Sequence, residues 1–349
     1  MAKQLNSRHD EILALIKKNP LSSSKQIHDG LASKISYATL KRVLQLLIAE
    51  KFIVARGKGK GTRYEIDPAY DIIRPFDVAR YFIKEIDERE IRQQYNPALI
   101  KETINRITLF TDAELSHLNQ LQDQYKRNAA KLSENEFRNE LERLAIDLSW
   151  KSSEIEGNTY SLLETERLLK EKETTAGKTK DEAIMLLNHK EALDFLIVHP
   201  DYIQPLSTRN IEDIHSILIK DLSISRNLRN HRVGISGTNY RPLDNEFQIK
   251  EALQDMCDAI NHRQNIFEKT LLALILISYI QPFSDGNKRT ARITGNAILM
   301  HNNYCPISFR TADTIEYKKA LLIFYEQNNI HPFKRIFINQ FEFATATYF

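Results

Sequence analysis

The stretch "LLALILISYIQPFSDGNKRTAR", residues 271–292, decides how this chain folds. Its first ten residues are apolar nearly all round, so they read as the central buried helix of a helical domain. They are too few to span a bilayer. Pro282 disfavours a helical residue before it and predicts an extended Gln281 and a helix boundary. A tight loop follows, in which Asp285 and Asn287 suit a turn and a cap and Gly286 permits a positive φ, and a second helix then begins. Backbone N–H groups of Gly286, Asn287 and Lys288 would converge at that helix N-terminus, where unpaired donors and the helix dipole favour an anion. Arg289 and Arg292, one turn apart, could each fork onto phosphate oxygens. Asp285 is a hard oxygen ligand suited to a magnesium ion that bridges phosphates. The same residues also suit a plain helix-loop-helix, with Asp285 as an N-cap and the arginines in surface ion pairs.

Outward from this stretch, composition agrees with a mostly helical protein. The chain has 349 residues, 42% hydrophobic and 27% charged, with only 10 Gly and 10 Pro. It can bury a sizeable core and is long enough for two or three domains. Cys257 and Cys305 make no disulfide or metal framework, which suits a reducing compartment. The opening "MAKQLNSRHDEIL" lacks the apolar core of a secretion signal, so a cytoplasmic protein with no membrane partner is expected. Charge is unevenly spread: residues 1–66 hold 13 Lys and Arg against 5 Asp and Glu, a net of +8, and the remainder 36 against 41, a net of −5. The basic charge therefore sits at the N-terminal end.

Residues 1–66 read as three helices and a hairpin. "HDEILALIKKN" places Ile12, Leu15 and Ile16 on one face, and "SSSKQIHDGLA" carries Ile27 and Leu31. In "SYATLKRVLQLLIAEKF" Ser36 is an N-cap, and Leu40, Val43, Leu44 and Leu47 recur at the spacing of one buried face. "FIVARGKGKGTRYEI" is two β-prone pieces around a Gly-rich turn. This order resembles a winged helix-turn-helix domain. If the third helix enters a major groove, Tyr37, Thr39, Lys41 and Arg42 would meet bases and phosphates, and Arg56, Lys58, Lys60 and Arg63 of the wing the backbone. A winged domain that binds protein, with merely solvated lysines, is the competing expectation. Residues 67–100 read as a linker, and 101–349 as a helical domain. Within that domain "NEFRNELERLAIDLSWKSSEIEG" is an amphipathic helix ending in a Gly C-cap.

The motif Pro282, Phe283, Asp285, Gly286, Asn287, Lys288, Arg289 and Arg292 resembles that of the Fic family, His-Pro-Phe-x-Asp/Glu-Gly-Asn-Gly/Lys-Arg-x-x-Arg. The resemblance implies a helical bundle with a small β-hairpin flap, and transfer of AMP from ATP to a Ser, Thr or Tyr hydroxyl of a target protein. It implies Asp285 as the magnesium ligand, Asn287 and the loop amides at the α-phosphate, Arg289 and Arg292 at the β- and γ-phosphates, and Phe283 as a core anchor. "SSEIEGN" fits the family's inhibitory motif as Ser152, Glu156 and Gly157. There the glutamate pairs with the second arginine, here Arg292, and denies it to the γ-phosphate; a local salt bridge at a helix end is the alternative for Glu156. "HRVGISGTNYRPLD", residues 231–244, resembles the flap that aligns a target by strand addition, with Gly237 and Thr238 at its turn and Tyr240 toward the nucleotide.

Where the family has its catalytic histidine, this chain has Gln281. An amide is neither basic nor acidic near neutral pH, and general-base catalysis contributes on the order of 10² to 10⁴ in rate. AMP transfer should be crippled while phosphate binding survives. The chain is then either a nucleotide-binding pseudoenzyme that regulates DNA binding, or an enzyme that needs no strong base or borrows one such as Glu156, or a protein whose histidine has been replaced. The expected ligands are ATP and Mg. Partners are a target protein or the chain itself, and DNA at the winged domain, with a homodimer left open.

Overall fold

The computed structural model describes residues 7–349, and the side chains of residues 7, 8 and 60 lie outside the described set, so the expectation for Lys60 lies outside the described residues. Helices α1 (Ser7–Lys18), α2 (Ser24–Gly30) and α3 (Tyr37–Ala49) precede strands β1 (Ile53–Arg56) and β2 (Arg63–Ile66), which pair antiparallel with Ile53 opposite Ile66. Serines start two of these helices: Ser23 Oγ accepts from Gln26 N and Ser36 Oγ from Thr39 N, each satisfying an N–H that the helix leaves unpaired. Leu40, Leu44 and Leu47 pack with Ile12, Ile16 and Ile27 in a hydrophobic cluster of their own.

The stretch expected to be a linker packs against the bundle at several points. α4 (Tyr70–Ile73) buries Ile72 and Ile73, and the Ile72 carbonyl accepts from Ile330 N. α5 (Val78–Tyr81) and a 3₁₀ turn at Ile86–Glu88 lead to a buried Arg89, and a π-helical turn at Leu99–Thr103 buries Leu99 and Ile100. Such short turns bury single residues, which leaves no periodic pattern to read.

The remaining helices are α6 (Asp112–Ala129), α7 (Glu134–Ile155), α8 (Leu162–Glu171), α9 (Lys180–Val198), α10 (Thr208–Leu218), α11 (Glu246–His262), α12 (Ile266–Ile280), α13 (Asn287–His301), α14 (Thr314–Gln327) and α15 (His331–Thr347). α12 is the central buried helix, with every residue from Leu271 to Ile280 inside. Each of its Leu and Ile side chains contributes about 1.5–3 kcal/mol of gross burial. α13 crosses it closely because Gly295 carries no side chain: a Cβ there would stand 3.1 Å from Leu274 Cγ. That approach seats the loop between the two helices inside the bundle. Gly157, just past α7, adopts φ 103, as a C-cap glycine does. No helix among the described residues is long and apolar enough to cross a membrane.

Residues 231–244, between α10 and α11, turn at Gly237 with φ 87, but they form no strand ladder. Their one bridge is parallel, Gln94 with Arg241, and the two-stranded sheet of the described residues is β1–β2. The backbone of this flap finds its partners elsewhere: the Gly237 carbonyl accepts from Arg89, and Tyr240 N donates to Thr238 Oγ1.

Candidate functional site

Gln281 ends α12 in the left-handed region, φ 52 and ψ 60, and not in the extended conformation that Pro282 predicts. Both conformations avoid the clash with the proline ring, and packing chooses between them. Hydrogen bonds from its backbone and its side chain hold the strained residue. Its N donates to Ile277 O at 3.0 Å, its carbonyl accepts from Arg229 Nε at 2.6 Å, and its side-chain Nε2 donates to Ser278 O at 2.7 Å. Arg229 also donates through NH2 to Ile280 O and through NH1 to His231 O, so a buried cation caps the carbonyl end of α12. Burial lowers its pKa to about 10, which still leaves it charged at neutral pH.

The loop is tied by Asn287. Its Oδ1 accepts from Phe283 N at 2.8 Å, and its Nδ2 donates to Phe283 O at 2.8 Å and to Gln281 Oε1 at 2.9 Å. Expected at the α-phosphate, the Asn287 side chain is spent on the loop itself. Gln281 is likewise spent, with its oxygen on Asn287 and its nitrogen on Ser278. Phe283 is fully buried as expected, with the His215 ring stacked on it at 3.6 Å and His215 Nε2 against the Asp285 carbonyl at 3.0 Å. Burial first, and then the Arg289 cation, hold His215 at a pKa of about 4, so it is neutral at physiological pH.

Asp285 is the exposed member, its side chain 64% accessible, with Oδ2 at 3.6 Å from Arg289 NH2. Its Oδ1 accepts from Gly286 N at 2.6 Å, and Gly286 has φ 78. One of the three converging amides is thus taken, and those of Asn287 and Lys288 remain at the first turn of α13, where no helix carbonyl reaches them.

Arg289 and Arg292 are buried. Arg292 NH2 donates to Glu156 Oε1 at 2.8 Å and to the Ser152 carbonyl at 2.8 Å, and its Nε donates to Ser152 Oγ at 2.8 Å. Its guanidinium lies 5.4 Å over the Tyr317 ring. Glu156 Oε2 accepts from Lys288 Nζ at 3.1 Å, so Lys288, expected on nucleotide, is on the glutamate. Desolvation alone would raise the Glu156 pKa, but Arg292 and then Lys288 outweigh it and hold the carboxyl at about 2. Arg289 NH1 reaches the Leu218 carbonyl at 3.4 Å, and buried Arg289 Nε and Arg292 NH1 make no hydrogen bond.

A cleft of about 310 Å³ opens here, walled by Ile155, Val233, Ile235, Leu321, Leu322 and Tyr325, with Glu156, Gln281, Asp285, Asn287, Lys288 and Lys318 as its polar groups. Arg289 and Arg292 do not line it; Glu156 and Lys288 do. A larger cleft of about 550 Å³ on the other side of the flap carries none of the motif. Tyr240 is in neither cleft. It is 2% exposed and stacked against both Tyr279 and Tyr325, with its hydroxyl on the Tyr279 carbonyl. An aromatic ring stacked on two other tyrosines gains more from that packing than from solvent, so Tyr240 faces the core and not the nucleotide side expected of it.

The structure adds residues that sequence reading missed. Buried His189 sits 2.7 Å from Ser152 Oγ and, with its pKa held well down by desolvation and the two arginines, helps seat Ser152 under Arg292. His215 and Arg229 hold the loop. None belongs to the motif, and a lone His or Arg on a helix carries no local signal of its partner.

At the other end of the chain, Tyr37 hydroxyl bonds Ser24 Oγ at 2.6 Å and Lys41 Nζ lies 5.5 Å over the Tyr37 ring, so both are partly engaged. Arg56 pairs with Glu65 at 2.5 Å, while Arg42, Lys58 and Arg63 are exposed.

A family model, Fic/DOC family, matches residues 205–299. The chain is 30% identical over 183 residues to "Protein adenylyltransferase Fic" of Nematostella vectensis, covering 49% of this chain and 41% of that one. It is 25% identical over 201 residues to "Protein adenylyltransferase fic-1" of Caenorhabditis elegans, covering 56% and 39%. It thus spans about two fifths of these relatives. Among solved structures, Fic-1 (aa134 - 508) from C. elegans superposes with a TM-score of 0.58 at 23% identity, over 68% of this chain and 72% of that one. A Fic domain containing signaling protein from Bacteroides thetaiotaomicron does so with 0.57 at 20%, over 66% and 94%. These two likenesses establish the fold. Motif, family match and fold agree: residues 205–299 match the Fic/DOC family, and the helices around them have the fold of solved Fic proteins.

Proposed function

We propose that the cleft binds Mg-ATP for transfer of AMP to a protein hydroxyl, that Glu156 keeps it shut, and that Gln281 leaves it short of a general base. The observation that carries this reading is the Glu156 carboxylate on Arg292 at 2.8 Å. A γ-phosphate would need the same guanidinium edge, and the two anions exclude each other. The unpartnered Arg289 Nε and Arg292 NH1 are buried donors of the kind a phosphate would satisfy. The apolar wall suits a purine, and Lys318 at the rim is a further cation.

Asp285 suits a magnesium ion. It is an exposed hard-oxygen ligand, and no group of three or more His, Cys, Asp or Glu among the described residues could hold a metal alone. A cation held by one carboxylate and substrate phosphates fits magnesium's habit. When bound, it would offset phosphate charge.

In the reaction a Ser, Thr or Tyr hydroxyl of a target protein, or of this chain, attacks the α-phosphorus and pyrophosphate leaves. The hydroxyl proton needs an acceptor, and Gln281 has both ends of its amide engaged and no basicity. The test is intact-protein mass after incubation with magnesium and ATP. Glu156→Gly plus Gln281→His should gain an AMP adduct, and Glu156→Gly alone should not. An adduct on Glu156→Gly alone would place the base elsewhere; the absence of any adduct together with no calorimetric ATP binding would sink the reading.

A second reading, a catalytically inactive nucleotide-binding regulator that binds DNA, is favoured by the exposed side of α3. Ala38, Arg42, Gln45 and Ala49 all point outward there, opposite Leu40, Leu44 and Leu47, and no acid interrupts them. Arg and Gln are the side chains that fork onto guanine and adenine edges. On a duplex selected from a random pool by the full chain, Arg42→Ala should cost about 1–3 kcal/mol of affinity and Lys58→Ala should mainly flatten the salt dependence. A pool that yields no bound duplex would refute it.

A further inference from the structure

The segment between α5 and the π-helical turn passes along the flap and holds it at several points. Arg89, its side chain 2% exposed, sits with NH1 at 3.3 Å from the Glu326 carboxylate near the end of α14. Its NH2 donates to the Gly237 carbonyl at the flap's turn at 2.7 Å. The guanidinium lies beside two aromatic rings, 5.0 Å from Phe82 and 5.7 Å from Tyr81, and the Tyr81 hydroxyl donates to Glu326 Oε2 at 2.6 Å. Beside it Asn239 Nδ2 donates to Asp87 Oδ1 at 3.2 Å, and Arg241 N to Gln93 O at 2.8 Å. Glu326 follows Leu321, Leu322 and Tyr325, which line the cleft, and a Cβ on Gly237 would lie 3.3 Å from Leu322.

We propose that Arg89 is the positioning residue of the flap, bracketing its turn to α14 so that only the Val233–Ser236 edge is left for an acceptor segment. Several features carry this. The Arg89 fork bridges one carboxylate and one backbone carbonyl, a two-ended contact that a point charge cannot make. The return half of the flap has its Gly237 carbonyl and Arg241 amide already taken. The Val233–Ser236 half lines the cleft with Gln281 and Asp285, and its backbone makes no bond in a ladder. A flap without internal strand pairing has no register of its own, so an external bracket must set its height over the motif loop. The role of that edge rests on the proposed AMP transfer; the bracket does not.

Hydrogen exchange of the full chain tests it. Arg89→Lys keeps the charge opposite Glu326 but loses the fork. Arg89→Met with Glu326→Leu removes both charges together, so that neither is stranded. In both variants the Tyr240 and Arg241 amides, bonded to Thr238 Oγ1 and Gln93 O, should exchange at least about tenfold faster, the effect of losing one charge-assisted hydrogen bond. Peptides from 271–280 and 287–299 should be unchanged, and calorimetric Mg-ATP affinity should stay within about twofold, since no phosphate contact is altered. Flap exchange equal to wild type in both variants would overturn the proposal, and so would acceleration spread evenly through 271–299, which marks a merely structural ion pair. In the Glu156→Gly, Gln281→His background, adding Arg89→Lys should raise KM for the acceptor with little change in ATP affinity. If that background forms no adduct and binds no ATP, the AMP-transfer reading fails, and the exchange result still decides the bracket.

Discussion

Removing the Glu156 carboxylate should reveal how tightly the site is held shut. The carboxyl is brought from 4.5 to about 2, with burial opposed by Arg292 and Lys288. At about 1.4 kcal/mol per pKa unit, that drop corresponds to roughly 3 kcal/mol by which the two cations stabilise the carboxylate net of its burial cost. The side chain is 18% exposed, so solvent screens a part, and about 2–3 kcal/mol is the working figure. If a γ-phosphate has to displace the carboxylate, this is the penalty on ATP affinity, and Glu156→Gly should bind Mg-ATP roughly 30- to 150-fold tighter. Isothermal titration with ATP and ADP separates the cause. ADP has no γ-phosphate to claim Arg292, so it should gain little. An ATP gain below about threefold, or an equal gain for ADP, would refute the competition, since tens-fold is what the coupling requires. The sign with pH follows from the lowered pKa. The carboxylate's stabilisation is complete above 4.5 and is lost as pH falls through about 2. Wild type should therefore lose stability relative to Glu156→Gln only in that acidic window, and the lock should be insensitive to pH near neutrality.

Two other substitutions probe the same neighbourhood. Lys288→Met removes one of the two cations on Glu156 and should tighten Mg-ATP by a few-fold, less than Glu156→Gly; weaker binding in calorimetry would put Lys288 on the nucleotide instead. Gly295→Ala should gain about 1 kcal/mol of helix propensity but meets Leu274 at 3.1 Å, and overpacking at about 1–3 kcal/mol should win. A thermal melt showing a higher Tm would mean that α12 and α13 separate more easily than their close crossing implies.

The motif loop was legible in the sequence because its grammar is local. Gly286 takes the positive φ expected of it, α13 starts at Asn287, and the apolar run from Leu271 to Ile280 is buried throughout. Arg292 meets the Glu156 carboxylate and, beside it, the Ser152 hydroxyl. Other expectations failed where neighbours outside the local pattern supply the decisive energy. Tyr240 turns inward because Tyr279 and Tyr325 stack with it, and Arg89, far away in sequence, takes the carbonyl at the turn of residues 231–244. Lys288 lines the cleft but its ammonium is held by a carboxylate 132 positions earlier in the chain.

By itself the sequence determined the helical class, the two helices flanking the phosphate-type loop, the caps, and the presence of an acid, an asparagine and two arginines at motif spacing. Those follow from backbone sterics, capping bonds and amphipathic periodicity, which act over a few residues. Only the tertiary structure decided that Glu156 is gripped by two cations, that the Gln281 amide is closed onto Ser278 and Asn287, and that Arg89 brackets the flap. These contacts depend on which groups are desolvated together. A buried ion or amide takes whichever partner the packing brings within about 3 Å, and no pattern along the chain encodes that choice.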